Sequence, residues 1–422
     1  MQSLQPALGR MSRRGFIMTA AGAGILSAVS CRGPAEAPPA SGLTDFAERI
    51  IKDKRAPGVV IAHGKAGGAA EFVVRGNLAF DSKRLVDQDT LWRIYSMTKP
   101  ITGMAAMILV SENQLNLDQP VADFIPAFAK IKVSSDGVGL PSIPAMAPVT
   151  VRHLLTHTSG LIYGEFTSSP ISDAYLKLGV HPLQTSRADQ RPVAPSLAEF
   201  AERVATLPLV CEPGTNWVYG VGLDVLGRVI EVASGEAFDQ FLKRRIFDPL
   251  GMSSTFFTVP QTQAERLATS YERRRFSVDV LDPRGSSVYL RTPSFPFGGS
   301  GLVSSAREYD RFLAMIGNRG MLDGVHILHP DAVALGTANL APEGADLSGL
   351  RSTTGNPSEG QGAGGSVVMD GPAVGTFGWA GMAGTVGAAN VRSGARYSGY
   401  FNVVGDTTLV EKLGPAILRE PA

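Results

Sequence analysis

Thr90-Leu91-Trp92-Arg93-Ile94-Tyr95-Ser96-Met97-Thr98-Lys99-Pro100-Ile101-Thr102-Gly103-Met104-Ala105-Ala106-Met107-Ile108-Leu109-Val110 joins a short alternating stretch to a long apolar one, with a serine and a lysine three residues apart at the joint. Thr90 to Tyr95, rich in large apolar side chains, reads as a strand entering a core. Ile101 to Val110 is apolar on nearly every face and reads as a helix buried in the middle of the protein. Pro100 fits the first helical turn, where its missing N–H has no acceptor to lose. Three-residue spacing puts Ser96 and Lys99 on one face, so the lysine nitrogen reaches the serine hydroxyl. A lysine acts as a base only where burial or a neighbouring cation disfavours its charge, and the apolar run supplies burial. N–H groups of a helix's first turn also favour developing negative charge. The plainer alternative is a serine at a helix start beside a lysine that snorkels to solvent.

The chain has 422 residues, 44% of them apolar, enough for one large domain or two lobes sharing a core. A formal net charge of +1, with no basic patch, argues against a nucleic-acid partner. The two cysteines, Cys31 and Cys211, make neither a disulfide framework nor a metal spacing, and Cys211 reads as a small buried apolar residue. His153 and His157 lie four apart but have no third ligand in view, so a structural role is expected.

Met11-Ser12-Arg13-Arg14-Gly15-Phe16-Ile17 sets two arginines before Thr19 to Val29, a mild Ala/Gly-rich stretch too short to span a bilayer. Residues 1–37 resemble a twin-arginine export signal, which implies a periplasmic protein. Cleavage is expected after Ala37, with lipid attachment at Cys31 as the alternative.

Beyond the leader, Phe46 to Lys54 reads as a helix, and Gly58–Gly64 with Glu71–Gly76 as paired strands. Val149 to Leu155, Leu197 to Ala205 and Leu223 to Ala233 read as helices, and strands return at Gly365–Met369, Gly387–Val391 and Ser398–Val404. Helices inserted between the first and last strands of one sheet imply two lobes with a cleft between them. Residues 162–196 and 341–365 show little regular pattern and read as loops forming cleft walls.

Four further motifs join Ser96-Met97-Thr98-Lys99-Pro100. They are Val151-Arg152-His153-Leu154-Leu155-Thr156-His157-Thr158-Ser159-Gly160-Leu161, Pro213-Gly214-Thr215-Asn216-Trp217-Val218-Tyr219, Gly298-Gly299-Ser300-Gly301-Leu302-Val303-Ser304-Ser305-Ala306 and Phe377-Gly378-Trp379-Ala380-Gly381-Met382-Ala383-Gly384-Thr385. Together they resemble the serine beta-lactamase-like superfamily, and within it the class C beta-lactamase-like esterases, or family VIII carboxylesterases. The resemblance implies an α/β (α+β) fold of the beta-lactamase/penicillin-binding-protein kind: an antiparallel sheet flanked by helices plus a mostly helical lobe. The hydrolase domain would run over 42–418, with an α/β lobe at 42–110 and 297–418 and a helical lobe at 111–296.

By the same resemblance, Ser96 is the acylated nucleophile, Lys99 its activating partner and Tyr219 a proton relay, with the choice of base between the last two left open. The N–H groups of Ser96 and Met382 would form an oxyanion hole, and Trp379, Gly381 and Val221 would contact substrate. Val221 stands where the beta-lactamases carry an asparagine, and Trp379 where they carry a lysine, so the resemblance implies neutral small-molecule esters, no cofactor and no metal. Tyr219 as a core tyrosine and Trp379 as packing are the plainer readings. A beta-lactamase or D-Ala-D-Ala carboxypeptidase, and a catalytically inactive penicillin-binding-like sensor, are the alternative functions. An α/β-hydrolase is not, because no Gly-x-Ser-x-Gly elbow occurs. No signal for oligomeric state is present.

Overall fold

Alternation along Gly58–Lys65 explains how the sheet is covered on both sides. In this computed structural model, which describes residues 40–182, 184, 193–407 and 411–413, Val59 and Ile61 pack in one apolar cluster with Leu43, Ala47 and Ile50 of the Ala40–Lys52 helix. Val60, pointing the other way, joins the large core with Tyr309, Phe312 and Leu313 of the Ala306–Gly317 helix. Successive side chains of a strand face opposite sides, so one strand serves both layers.

The sheet has seven strands in the order Glu359–Gln361, Ser366–Val368, Thr376–Gly381, Thr385–Asn390, Ala395–Tyr400, Gly58–Lys65 and Glu71–Gly76. Every neighbouring pair is antiparallel, and the N-terminal hairpin joins the C-terminal meander through the register Val60↔Tyr400. The N-terminal hairpin and the C-terminal meander therefore share one sheet, with the intervening chain looping out.

The apolar run after Lys99 forms the Thr98–Ser111 helix, in which every residue from Thr98 to Leu109 is buried. It packs on helices Gly222–Ser234 and Pro330–Gly336 and touches the Thr376–Gly381 strand, so it lies between sheet and helices. Its all-round apolarity follows from having neighbours on every side. Leu197–Ala205 is a helix over the expected residues. The helix expected from Val149 begins at Val151, because Thr150 Oγ1 accepts the His153 N–H and His153 Nδ1 accepts the Thr150 N–H, closing a capping box.

Two expectations are corrected. The stretch 162–196 contains the helix Pro170–Lys177, started by Ser169 as cap with Pro170 behind it; residues 183 and 185–192 lie outside the described residues. The stretch 341–365 contains the helix Ser348–Thr354 and the first strand of the main sheet. Within 111–296 a short hairpin accompanies the helices: Ser270–Arg273 and Val278–Asp282 pair antiparallel, and Val403–Val404 adds to Ser270–Arg273 in parallel. The export segment and Cys31 lie outside the described residues, among which no helix is long and apolar enough to cross a membrane.

Candidate active site

Strand Leu91–Arg93 pairs with Val303–Ser305 and delivers the chain into a single 3-10 turn, Tyr95–Met97, that leads into the Thr98–Ser111 helix. Ser96 thus sits one turn before the α-helix proper, and the strand is shorter than its alternating sequence suggests. Tyr95 holds φ at +40°, a left-handed conformation that L-residues adopt at a cost of roughly 1–2 kcal/mol. Surrounding packing holds it there: its ring is wholly buried, edge-on to Tyr289 at 6.3 Å. Behind it, the buried Arg93 guanidinium donates to Asp282 Oδ2 at 2.6 Å and to the Ala268 carbonyl, fixing the strand end that carries the turn.

Lys99 is fully buried, and its Nζ donates to Ser96 Oγ at 3.0 Å and to the Gly299 carbonyl at 2.8 Å. The faces of Tyr163 and Tyr219 lie 5.1 and 4.7 Å from the nitrogen, a cationic cradle of two rings. The Gly298–Gly301 loop is stitched to the same helix, since Thr102 Oγ1 donates to the Gly298 carbonyl and the Leu302 N–H to Thr98 Oγ1.

From the other side, the Tyr219 hydroxyl donates to Ser96 Oγ at 2.8 Å. Trp379 Nε1–H donates to the same phenol oxygen at 3.2 Å. Trp217, Tyr219 and Trp379 form a stack with 5.8 Å between successive ring centroids, and Trp217 is pinned by its Nε1–H to Gln361 Oε1 at 2.9 Å. His157 packs on Tyr219 at 4.8 Å; burial, reinforced by the Lys99 charge, pushes its imidazole well below 6.5, so it is neutral at physiological pH. His153 caps its helix instead, so the two histidines do separate structural tasks.

Met382 lies in the turn between Thr376–Gly381 and Thr385–Asn390. The strand end is pressed against the Ser96 turn: a Cβ on Gly381 would stand 2.2 Å from the Ile94 carbonyl oxygen. Among the described residues, the N–H groups of Ser96 and Met382 have no protein acceptor. Ser96, Lys99, Tyr219, Trp379 and Gly381 are therefore assembled, with Met382 next in chain. Val221 is the exception. It is wholly buried in the apolar core at the start of the Gly222–Ser234 helix, so its side chain packs beneath the site and does not line a substrate wall.

Three groups in the site escape the sequence reading: the Gly299 carbonyl, Tyr163 and Asp224. Asp224 Oδ1 accepts the Gly299 N–H at 2.8 Å, and Tyr163 donates to Oδ2 at 3.3 Å. A lone carboxylate in the apolar run Val221 to Gly227 was the available signal, since such a group stays buried only with partners. Cys211 is half-buried and reduced, its thiol pushed up by burial. Among the described residues, no three His, Cys, Asp or Glu side chains gather to hold a metal ion.

The chain is similar to several known proteins. A family model described as Beta-lactamase matches residues 43–418. Protein Rv1367c of Mycobacterium tuberculosis is 37% identical over 255 residues, and the match spans 59% of this chain and 59% of that protein. Esterase EstB of Burkholderia gladioli is 31% identical over 360 residues, 80% of this chain and 83% of the esterase. The solved structure of EstCE1, a hydrolase with promiscuous acyltransferase activity, superposes with a TM-score of 0.73 at 22% identity, over 90% of this chain and 97% of that one, a likeness of fold.

Proposed function

Because the chain belongs to the beta-lactamase family, we propose that it is a serine hydrolase that cleaves carboxylic esters through an acyl-enzyme on Ser96. One observation carries the reading: Ser96 Oγ is bonded at once to Lys99 Nζ and to the Tyr219 hydroxyl, with Trp379 donating to that phenol. A hydroxyl placed between an amine and a phenol has a route for its proton as it attacks.

In acylation, Ser96 Oγ bonds to the ester carbonyl carbon while its proton leaves toward the Tyr219 oxygen or the Lys99 nitrogen. The carbonyl oxygen becomes an oxyanion received by the Ser96 and Met382 N–H groups. The C–O bond to the alcohol breaks, and the alcohol departs with the transferred proton. Water then repeats the sequence on the acyl-serine, releasing the acid and restoring Ser96.

Substrate class follows from the wall. Trp379 presents a neutral indole committed to Tyr219, and no cation stands at that position to attract a substrate carboxylate. EstB, aligned over most of both chains, is named an esterase. Class C-like ester hydrolysis outside the cytoplasm is the fuller reading: the paired Arg13-Arg14 before Thr19 to Val29 supports export to the periplasm, with cleavage after Ala37 or lipid attachment at Cys31.

Turnover of p-nitrophenyl butyrate beside a chromogenic cephalosporin tests the proposal. Ester turnover is expected to dominate and to vanish in Ser96→Ala while the fold persists. Faster turnover of the cephalosporin would make the chain a beta-lactamase, and a persistent mass adduct on Ser96 without turnover would make it a sensor.

A further inference from the structure

Lys99 is held from behind as well as from the front. Its second acceptor, the Gly299 carbonyl, belongs to a residue whose N–H is bound by Asp224 Oδ1 at 2.8 Å. Tyr163 donates to the other oxygen of the same carboxylate at 3.3 Å, and Asp224 is wholly buried in the first turn of the Gly222–Ser234 helix. The loop approaches as closely as a residue without a side chain allows: a Cβ on Gly299 would stand 2.5 Å from both Asp224 Oδ2 and the Tyr163 hydroxyl.

A carboxylate removed from water is retained only where charge and hydrogen bonds compensate it. We propose that Asp224 is a positioning residue for Lys99: through Gly299 it aims the carbonyl that holds the Lys99 nitrogen beside Ser96, and its negative charge faces that nitrogen from behind the glycine loop. The inference rests on the acyl-transfer reading above and deepens it.

The groups facing this carboxylate act in a consistent direction. Lys99 comes from the Thr98–Ser111 helix, Tyr163 from the segment after Gly160, and the Gly299 N–H from the glycine loop. Tyr219 and Glu165 act on Tyr163, and His157 faces Lys99 as a neutral ring. Burial pushes the Asp224 carboxyl up to about 6, with Lys99, the Gly299 N–H and the Tyr163 hydroxyl holding it down against that pressure. Tyr163 stays protonated, pushed well above 10 by burial and by the Asp224 charge, so it remains a donor. As pH falls through about 6, Asp224 takes up a proton and the charge opposite Lys99 is lost, so turnover should fall on the same limb.

The test uses the whole protein, with kcat and KM for p-nitrophenyl butyrate measured from pH 5 to pH 8. Asp224→Asn keeps a carbonyl oxygen for Gly299 and removes the charge. It should lower kcat at pH 8 about tenfold to a hundredfold, leave KM nearly unchanged and abolish the acid limb near 6. Tyr163→Phe removes one donor from a carboxylate that keeps its charge, so the limb should survive and move to higher pH. An acid limb retained in Asp224→Asn, a loss confined to KM, or a limb unmoved in Tyr163→Phe would each overturn the inference. If Asp224→Asn does not fold, the Tyr163→Phe limb decides alone. A parent protein that turns over no ester would defeat the functional reading instead, which keeps the two failures distinct.

Discussion

Replacing Gly381 by alanine should slow the chemistry far more than it unfolds the protein. The new Cβ would stand 2.2 Å from the Ile94 carbonyl oxygen and 2.3 Å from Thr385 Oγ1, while real Cβ contacts do not fall below 3.0 Å. Ile94 precedes the Ser96 turn by two residues and its carbonyl is backbone, so strand end and turn must part by about 1 Å, a displacement that can cost a reaction about a hundredfold. Met382 follows Gly381 directly, and losing one oxyanion donor costs about 3–4 kcal/mol, or on the order of 10²–10³ in kcat. The control is Gly58→Ala, three strands away in the same sheet, where the Cβ would meet the Asn77 carbonyl oxygen at 2.4 Å, a similar overlap with backbone. Both variants should lose about 1–3 kcal/mol to overpacking in urea unfolding. Only Gly381→Ala should also lose the full factor in kcat for p-nitrophenyl butyrate, with the burst of acylation slowed to match. Turnover in Gly381→Ala no slower than in Gly58→Ala would refute the placement of the Met382 N–H at the developing oxyanion.

Tyr219→Phe removes the hydroxyl bonded to Ser96 and should lower kcat by a factor on the order of 10²–10⁴ with little change in KM. Trp379→Phe keeps a ring in the stack but deletes the N–H on the phenol oxygen, for an expected loss of about tenfold. Because the indole acts through that oxygen, the double variant should be no slower than Tyr219→Phe; additive losses in steady-state kinetics would show that it acts elsewhere. On the edge strand that also carries Gln361, burial pushes the Glu359 carboxyl up to about 7 from its ordinary 4.5, so the folded chain keeps a proton that the unfolded chain has released. Stability contributed by that proton is complete below about 4.5 and is lost as pH rises through about 7. Glu359→Gln should flatten this dependence and be more stable at pH 8 by roughly 2–3 kcal/mol. Urea midpoints at pH 5 and pH 8 that shift equally in both proteins would count against it.

The contrast between Lys99 and Asp224 shows where sequence reading stops. Lys99 was legible because its partner lies three residues away on the same chain segment, and helical geometry converts that spacing directly into a contact. Helix Leu197–Ala205 and hairpin Gly58–Lys65 with Glu71–Gly76 were legible for the same local reason. Strand Thr376–Gly381 was not: Thr-Phe-Gly-Trp-Ala-Gly has two glycines and an alanine and no clean alternation, and it enters only as part of a motif of the resemblance. Val221 enters as a substrate contact only because it stands where the beta-lactamases carry an asparagine, whereas at the turn into the Gly222–Ser234 helix its side chain is buried in the apolar core.

Asp224 depends on Gly299, 75 residues away, and Tyr219 meets Ser96 across 123 residues. Such contacts are set by long-range packing and sheet register, which residue spacing does not encode. The hydroxyl and its amine are therefore a local device, written in four residues. What surrounds them, the phenol, the indole, the carbonyl behind the lysine and the carboxylate behind that, exists only once distant segments pack around the Thr98–Ser111 helix. A reactive pair that local geometry brings together cheaply is held in register by partners that only the finished fold supplies, so loss of those partners should spare Ser96 and Lys99 as neighbours while removing their reactivity.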